Sequence, residues 1–408
     1  MDQTPRTAPS RSAQSGDGAN PSRVRNHNER LVLSVVKDEG QIASSQIARL
    51  TSLSAQTASI ITRSLQADGM LLRGTPQKGK VGKPSIPVSL NPEGALAYGL
   101  RIGRRGGDLI LMNMVGEVME TRAKRYAYPL PEMIDAFVKE SMESIGEGLP
   151  DLLADRIVGI GVASPFGLWK KADAAGAPEE MMAAWRAYDF ATSFAAFTDL
   201  PVLLANDASM GCSGELVFGA ARELSDFLYF YVGAFVGGGV VLGRQVYFGR
   251  TGNAGAFGTL MVDGIDAQPN QLVHSASIYM LERDLNAQAG REVRLRSDSD
   301  QWDLTNPLVD AWVTHTARAL ATAAVSAAAV VDVATVVVDG GFPDTIKAQI
   351  IARMQTGLGQ LDTQEISPLC VHTGVLGRSA AAMGAAYQPI LAAHFLEGSQ
   401  FGTLSAVV

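Results

Sequence analysis

Four segments that are rich in glycine or small polar residues each follow an apolar run of strand length. These segments are residues 164–167, 206–207, 233–239 and 339–341. Strands that end in such segments bring backbone amides to one edge of a sheet, where a ligand can meet them. Asn206 and Asp207 add an amide and a carboxylate to that edge. The pattern therefore predicts a cleft for a small polar molecule.

A second group of polar residues is typical of a protein that reads DNA. These residues face outward on a helix predicted from Ser54 to about Asp68, and they are Ser54, Gln56, Thr57, Ser59 and Arg63. Glutamine can pair with adenine, and hydroxyl groups can reach bases or phosphates. A glycine-rich loop further along carries Lys78, Lys80 and Lys83, which we expect against phosphates or in a minor groove.

The elements that must position this second group form a helix-turn-helix pattern with a wing. Apolar spacing predicts a helix over Val24–Asp38 and a second helix with Ser44 or Ser45 as its N-cap. After a break at Thr51–Leu53 comes the helix that would enter the major groove. Strands predicted at 70–73 and 86–90 flank the lysine loop. Taken singly, each pattern also suits an ordinary surface helix or a solvated turn.

The net charge of −7 hides two parts of opposite sign. Residues 1–85 contain 12 Lys and Arg against 6 Asp and Glu, whereas residues 86–408 contain 22 against 35. Positive charge on the first part suits DNA, and negative charge on the second part repels it. Residues 1–22 are predicted to be a disordered arm, which would either follow DNA or serve only as a solubilising tail.

Length and composition exclude several classes of protein. A chain of 408 residues is longer than one hydrophobic core of about 250–300 residues supports, so two or three domains are expected. Two cysteines are too few for a disulfide framework or a cysteine-rich zinc site. The most apolar run, 319–331, is shorter than the roughly 20 residues of a membrane span and predicts a buried helix. We therefore expect a cytoplasmic protein with no signal peptide and no membrane partner.

From about Arg23 onward, the order of the segments resembles the ROK family of repressors and sugar kinases. The matching segments are Ser45–Gly69, Lys83-Pro84, Leu204–Asp207, Gly252–Gly255 and Val338–Gly341. The resemblance implies an α/β fold, in which an actin/hexokinase-like (ribonuclease H-like) body of two lobes follows a winged helix-turn-helix domain. The implied domains are an arm over 1–22, a DNA-binding domain over 23–92 and a sugar-kinase-like domain over 93–408.

The resemblance also implies which residues would contact the ligand. They are Asn206, Asp207, Asn253, Gly255, Thr259, Gly237, Gly238, Gly340 and Gly341. In a kinase of the family, Asp207 would be the general base that deprotonates the attacking hydroxyl, and Asn206 would bond the sugar.

The phosphate-binding and sugar-binding motifs of the family's kinases are altered in this chain. The first phosphate loop, Gly-x-Asp-x-Gly-Gly-Thr in kinases, is Gly99–Arg105 here, with Arg101 in place of the aspartate. The second loop has Phe235 where close backbone approach is needed. Ala256 and Thr259 replace a glutamate and a histidine that bind sugar hydroxyls.

These changes decide what cofactors we expect. A guanidinium group cannot replace a carboxylate that holds Mg²⁺, although Arg101, Arg104 and Arg105 could still attract an anion. ATP therefore stays an open question. Residues 269–280 contain no cysteine for the family's zinc loop and only a lone His274, so we expect no zinc and no other metal or cofactor.

Together these patterns predict a sugar-responsive, DNA-binding transcriptional regulator that acts as a repressor and has a non-catalytic kinase cleft. One alternative is a divergent ATP-dependent carbohydrate kinase with an N-terminal DNA-binding domain. Another is a body that only dimerises and binds no ligand. The expected partners are a palindromic DNA operator, a sugar or sugar derivative, and further copies of the chain in a homodimer or homotetramer.

Overall fold

A computed structural model describes residues 21–76, 86–167, 177–264, 268–297 and 299–396, with side chains from residue 25. The chain forms two compact units, Met1–Ser89 and Leu90–Val408. The division falls three residues before the boundary that the sequence suggests.

The first unit combines three helices with a three-stranded sheet. The helices are α1 (Pro21–Glu39), α2 (Ser44–Thr51) and α3 (Ala55–Ala67). The strands are β1 (Ile42–Ala43), β2 (Leu71–Arg73) and β3 (Pro87–Leu90), in the order β1-β3-β2. A helix pair joined by a short turn and followed by two paired strands is the arrangement of a winged helix.

Local capping explains where these helices begin and end. The Ser54 side chain accepts a hydrogen bond from the Thr57 amide at 3.0 Å, so Ser54 is the N-cap of α3 as predicted. Gly69, at φ +73°, follows the last turn of that helix. The predicted serine N-cap of α2 is wrong. Ala43 is the cap residue. The side-chain oxygen of Gln46 accepts a hydrogen bond from the Ala43 backbone amide at 3.3 Å, so a residue of the helix itself satisfies the amide at the start of α2.

Two five-stranded sheets form the frame of the second unit. The first sheet has the order β6-β5-β4-β7-β8. Its strands are β4 (Leu96–Ile102), β5 (Gly106–Asn113), β6 (Val118–Arg125), β7 (Ile157–Ser164) and β8 (Val202–Asn206). The second has the order β11-β10-β9-β14-β15. Its strands are β9 (Phe227–Val232), β10 (Val236–Leu242), β11 (Gln245–Val246), β14 (Thr335–Gly340) and β15 (Cys370–Thr373). A small pair, β12 (Met261–Asp263) and β13 (Pro269–Gln271), lies between β11 and β14 in sequence.

Ten helices are described in this unit. The first five are α4 (Pro131–Gly146), α5 (Asp151–Ala154), α6 (Glu179–Met182), α7 (Phe190–Phe194) and α8 (Asp207–Phe218). The other five are α9 (Leu272–Ala276), α10 (Ile278–Ala289), α11 (Pro307–Val331), α12 (Asp344–Leu358) and α13 (Ala380–His394). In the described part of the chain, no helix combines the length and the apolar character that crossing a membrane requires.

The two large sheets repeat one topology. In each sheet three consecutive strands pair antiparallel, and two later strands extend the sheet in parallel from the first of the three. Each sheet, with the helices packed on it, forms one lobe. The second unit is therefore the two-lobed α/β structure that the sequence predicts.

Helices α8 and α13 pack against each other almost backbone to backbone. A β-carbon on Gly384 of α13 would lie 1.9 Å from the carbonyl oxygen of Met210 in α8. A β-carbon on Gly214 of α8 would lie 2.3 Å from the carbonyl oxygen of Ala380. Since neither position has room for a side chain, glycine at both allows the two helices to touch.

Candidate functional site

A cavity of about 900 Å³ opens in the second unit where the strand ends of both lobes meet. Eight of the nine predicted ligand residues lie on its wall: Asn206, Asp207, Asn253, Gly255, Thr259, Gly237, Gly238 and Gly341. Gly340 instead lies inside β14, where a β-carbon would come within 2.3 Å of the Phe342 ring. The absence of a side chain at Gly340 is thus required for packing within the lobe.

The junction of β8 and α8 places Asn206 and Asp207. Asn206 is the N-cap of α8, and its side-chain oxygen accepts from the amides of Ala208 and Ser209 at 3.0 and 3.3 Å. The side-chain nitrogen of Asn206 is consequently the group that could donate a hydrogen bond to a ligand. Asp207 is the first residue of the helix, where the positive end of the helix dipole favours a carboxylate.

The glycine-rich segment after β9 is mostly strand, so the second phosphate loop that the resemblance implies, Gly233–Gly237, is shorter than expected. Only Gly233–Phe235 form the turn, and β10 begins at Val236. The Phe235 ring packs on Tyr279 with 5.4 Å between ring centroids, and both the turn and the start of β10 line the cavity. Across the wall, Gly255 has φ +78°, and a β-carbon there would lie 2.6 Å from the Cα of Gly239. Glycine at 255 lets this segment approach β10.

Two residues on the cavity wall have side chains that can make few hydrogen bonds to a ligand. Thr259 already donates its hydroxyl hydrogen to the Ala256 carbonyl at 2.8 Å, so its oxygen can only accept from a ligand. Ala256 offers a methyl group. Any sugar in this cleft must therefore gain its polar contacts from other residues.

Arg101 is paired with a carboxylate that the sequence reasoning missed. It lies directly opposite Asp108 in the β4–β5 register, with Nη2 and Nε at 2.5 and 2.8 Å from Oδ2. Arg378 approaches the same carboxylate at 3.4 Å. Burial alone would raise the pKa of Asp108, but the two guanidinium groups outweigh it and hold that pKa below its ordinary value. The pairing depends on the register of β4 against β5, which the structure supplies.

Arg104 and Arg105 share a second carboxylate that was also missed. Both guanidinium groups contact Oε2 of Glu282, at 3.2 and 3.3 Å. The other oxygen of Glu282 accepts from the Leu295 amide at 3.0 Å. Glu282 lies on α10 of the second lobe, so the arginine-bearing hairpin of the first lobe is tied to it across the cavity.

The residues on this side of the cavity do not fit a magnesium–nucleotide site. Mg²⁺ binding requires carboxylate oxygens that are free to coordinate it. Asp108 is already bound by Arg101 and Arg378, and guanidinium groups occupy the turn around it. These groups therefore offer no free carboxylate for Mg²⁺.

The segment in place of the family's zinc loop does not fit zinc either. It offers one imidazole, and Nδ1 of this exposed His274 lies 2.8 Å from the Tyr279 hydroxyl. Across the described ranges, no group of three or more His, Cys, Asp or Glu side chains could hold a metal ion.

In the first unit, the predicted DNA-contacting residues at the start of and along α3 differ in solvent exposure and in the hydrogen bonds that they already make. The Ser54 and Thr57 hydroxyls bond each other at 2.8 Å and so serve the helix cap. Gln56 and Arg63 are exposed, whereas Ser59 is half-buried. Ile60, missed by the sequence reasoning, leaves 52% of its surface exposed. Lys78, Lys80 and Lys83 lie outside the described residues.

The sequence profile of the ROK family matches residues 97–390. The chain belongs to the ROK family. A xylose repressor from Bacillus subtilis is 22% identical over 247 residues, which cover 60% of this chain and 63% of the repressor. The ROK chain thus spans less than two thirds of that relative.

Solved structures establish the fold. A ROK transcriptional regulator described as a homologue of the E. coli MLC protein has a TM-score of 0.67 at 19% identity, covering 94% of this chain and 99% of its own. A ROK glucokinase from Streptomyces griseus has a TM-score of 0.55 at 19% identity, covering 72% of this chain and 98% of its own. The actin/hexokinase-like fold class is confirmed, and ROK regulators and ROK kinases share it.

Proposed function

We propose that this ROK protein is a sugar-responsive transcriptional repressor that binds DNA through its first unit and senses a sugar without phosphorylating it. One observation carries the proposal. A winged-helix arrangement occurs in the same chain as a ROK cleft whose phosphate side consists of arginine–carboxylate pairs. The name of the Bacillus subtilis relative supports the same role. Such a regulator works on chromosomal DNA, so we also propose a cytoplasmic location.

The cleft residues have distinct roles in this proposal. Asp207 accepts a hydrogen bond from a sugar hydroxyl, and the side-chain nitrogen of Asn206 donates to a neighbouring oxygen. The backbone at Gly237 and Gly255 lies close to the ligand because neither has a side chain. Because Asp108, on the phosphate side, is already paired with Arg101 and Arg378, Asp207 would bind the hydroxyl without activating it for transfer.

Ligand binding would regulate DNA binding through two conformations of the chain. A sugar changes operator affinity only if it binds one conformation better than the other. Helix-turn-helix proteins commonly bind palindromic sites as dimers, with one half-site for each subunit. We propose a dimer whose operator affinity falls when the cleft is filled.

A gel shift on the protein's own upstream DNA, with and without a panel of pentoses and hexoses, tests this function. We expect binding at low salt and release by one of the sugars. The same panel with ATP and Mg²⁺ should yield no sugar phosphate. Phosphorylation that disappears in Asp207→Asn would overturn the non-catalytic part of the proposal.

Arg63→Ala should weaken operator binding and flatten its salt dependence. Arg63 is exposed on α3, and each lysine or arginine that contacts a phosphate contributes about one unit to the slope of log K against log salt. The measurement is a titration by fluorescence anisotropy at several salt concentrations. Gln66→Ala on the same helix is the control, and an unchanged slope for Arg63→Ala would remove Arg63 from the interface.

The second candidate is a divergent carbohydrate kinase. Asp207 at the start of α8, on the cavity wall, favours it, as does a fold shared with a glucokinase. A third possibility, a body that only dimerises, predicts that no sugar changes the melting temperature. A thermal-shift screen with sugars, with and without ATP, separates all three, since ligands that bind the folded state raise it.

A further inference from the structure

The cavity wall is positively charged within an acidic unit. Eight of the described wall residues are Lys or Arg, and three are Asp or Glu. The sequence from residue 86 onward has the opposite balance, 22 against 35. A wall of this sign attracts anions in preference to neutral or positive molecules.

The excess positive charge is concentrated in two clusters. In one, Arg101 and Arg378 share Asp108. In the other, Arg104 and Arg105 share Glu282. In the second cluster Arg105 also lies 3.7 Å from Glu292, which pairs with Arg294. The first cluster thus has two guanidinium groups for one carboxylate and the second has three for two, so each retains about one uncompensated positive charge near the cavity.

Arg104 is the member with the least satisfied side chain. Only 11% of the side chain is exposed, and its Nε has no hydrogen-bond partner among the described residues. Burial, followed by the neighbouring charge of Arg105, lowers the pKa of Arg104 despite the Glu282 carboxylate. A second anion at the guanidinium groups of Arg104 and Arg105 would supply the missing charge and further acceptors for their N–H groups.

We propose that the ligand of this cleft is an anionic sugar derivative whose phosphate or carboxylate group binds at Arg104 and Arg105. The proposal rests on the sugar-sensing function and specifies its ligand class. A guanidinium fork recognises both kinds of anion through paired N–H donors. The sugar hydroxyls then reach Asn206 and Asp207 on the same wall.

The first test uses inorganic phosphate as the probe, with the full-length protein at constant ionic strength set by potassium chloride. We expect a saturable rise in melting temperature. In the Arg104→Gln/Arg105→Gln double variant, the apparent phosphate affinity should fall about tenfold or more, because two charge-assisted donors are lost. No rise above chloride, or the same rise in this variant, would overturn the proposal.

Two further variants make this test specific. Arg122→Gln removes one positive charge from β6, where Arg122 pairs with Glu120 away from the cavity wall, and should leave the response unchanged. Glu282→Gln removes the carboxylate that competes for both guanidinium groups, so phosphate should bind several-fold more tightly. Weaker phosphate binding by Glu282→Gln contradicts the proposal even if the double variant fails to fold.

The second test compares each neutral sugar with its anionic forms, using glucose, glucose 6-phosphate and glucuronate as the first set. An anionic form should stabilise the protein more than glucose and more than inorganic phosphate, and the better anion shows whether phosphate or carboxylate is preferred. If a neutral sugar releases the protein from DNA and its anionic forms do not, the proposed anionic ligand class is wrong, but the proposed sugar-sensing function is supported. If operator DNA does not bind at all, the regulator function fails independently.

Discussion

At the scale of single residues, Asp108 is the carboxylate on which the arginine-rich hairpin depends. It is mostly buried and pairs with both Arg101 and Arg378. We expect Asp108→Asn to lower the free energy of unfolding by about 3 kcal/mol, the order found when one partner of a buried ion pair is removed. Chemical denaturation measures the change. Asp263→Asn breaks an exposed pair with Arg318 and should cost under about 1 kcal/mol.

The same residue makes a prediction about pH. Because the folded-state pKa of Asp108 lies below its ordinary value, its stabilisation is present above the unfolded pKa of about 3.9 and is lost as the pH falls through the folded value. The difference in melting temperature between wild type and Asp108→Asn should stay constant from neutral pH to about pH 5 and then narrow. A difference that grows in acid would contradict this assignment.

The residue identities on the wall were predictable, and the pairings were not. Arg101 and Asp207 stand out in the sequence because they occupy positions with a known chemical requirement. Glu282 does not, since 177 residues separate it from Arg105 and only the tertiary fold brings them together. Asp108 is the intermediate case, because it is only seven residues from Arg101 in the chain, but their pairing depends on the register of β4 against β5.

At the scale of elements, the contact between α8 and α13 controls how the lobes are joined. Gly384→Ala should destabilise the protein by about 3 kcal/mol, because the new β-carbon would lie 1.9 Å from the Met210 carbonyl oxygen and would force the helices apart. The higher helix propensity of alanine would by itself raise the free energy of unfolding. The sign of the measured change therefore shows whether the steric clash or the helix propensity dominates. Gly146→Ala, at a position with no atom within 4 Å, is the matched control and should be neutral or stabilising.

Strand β10 is an element that the sequence pattern could not predict. Gly237–Gly239 have no side chains with which to show an alternating pattern, so the sequence resembles a flexible loop. In the structure they pair antiparallel with Tyr229–Tyr231 of β9, and the residues around them leave no room for side chains. A β-carbon on Gly238 would meet Phe257 at 2.4 Å, and one on Gly239 would meet Cys212 at 2.6 Å. Caps such as Ser54 were predictable because their signals are local.

At the scale of the whole molecule, the two units should divide the two binding functions. A fragment of residues 90–408 contains every residue of the cavity wall and none of α3. We expect the fragment to keep the melting response to phosphate and to give no gel shift on the upstream DNA. A fragment that still shifts DNA would show that the assignment of DNA binding to the first unit is wrong.

The positive wall also affects how the protein behaves among the other polyanions of a cell. Chromosomal DNA and RNA vastly outnumber any small effector in charge, and an exposed basic patch on the second unit would be occupied by them. Arg104, whose side chain is only 11% exposed on the wall of a cavity of about 900 Å³, should be less accessible to a duplex backbone than to a metabolite. Under the proposed function, size exclusion would protect the cleft from competition by the DNA that the first unit binds.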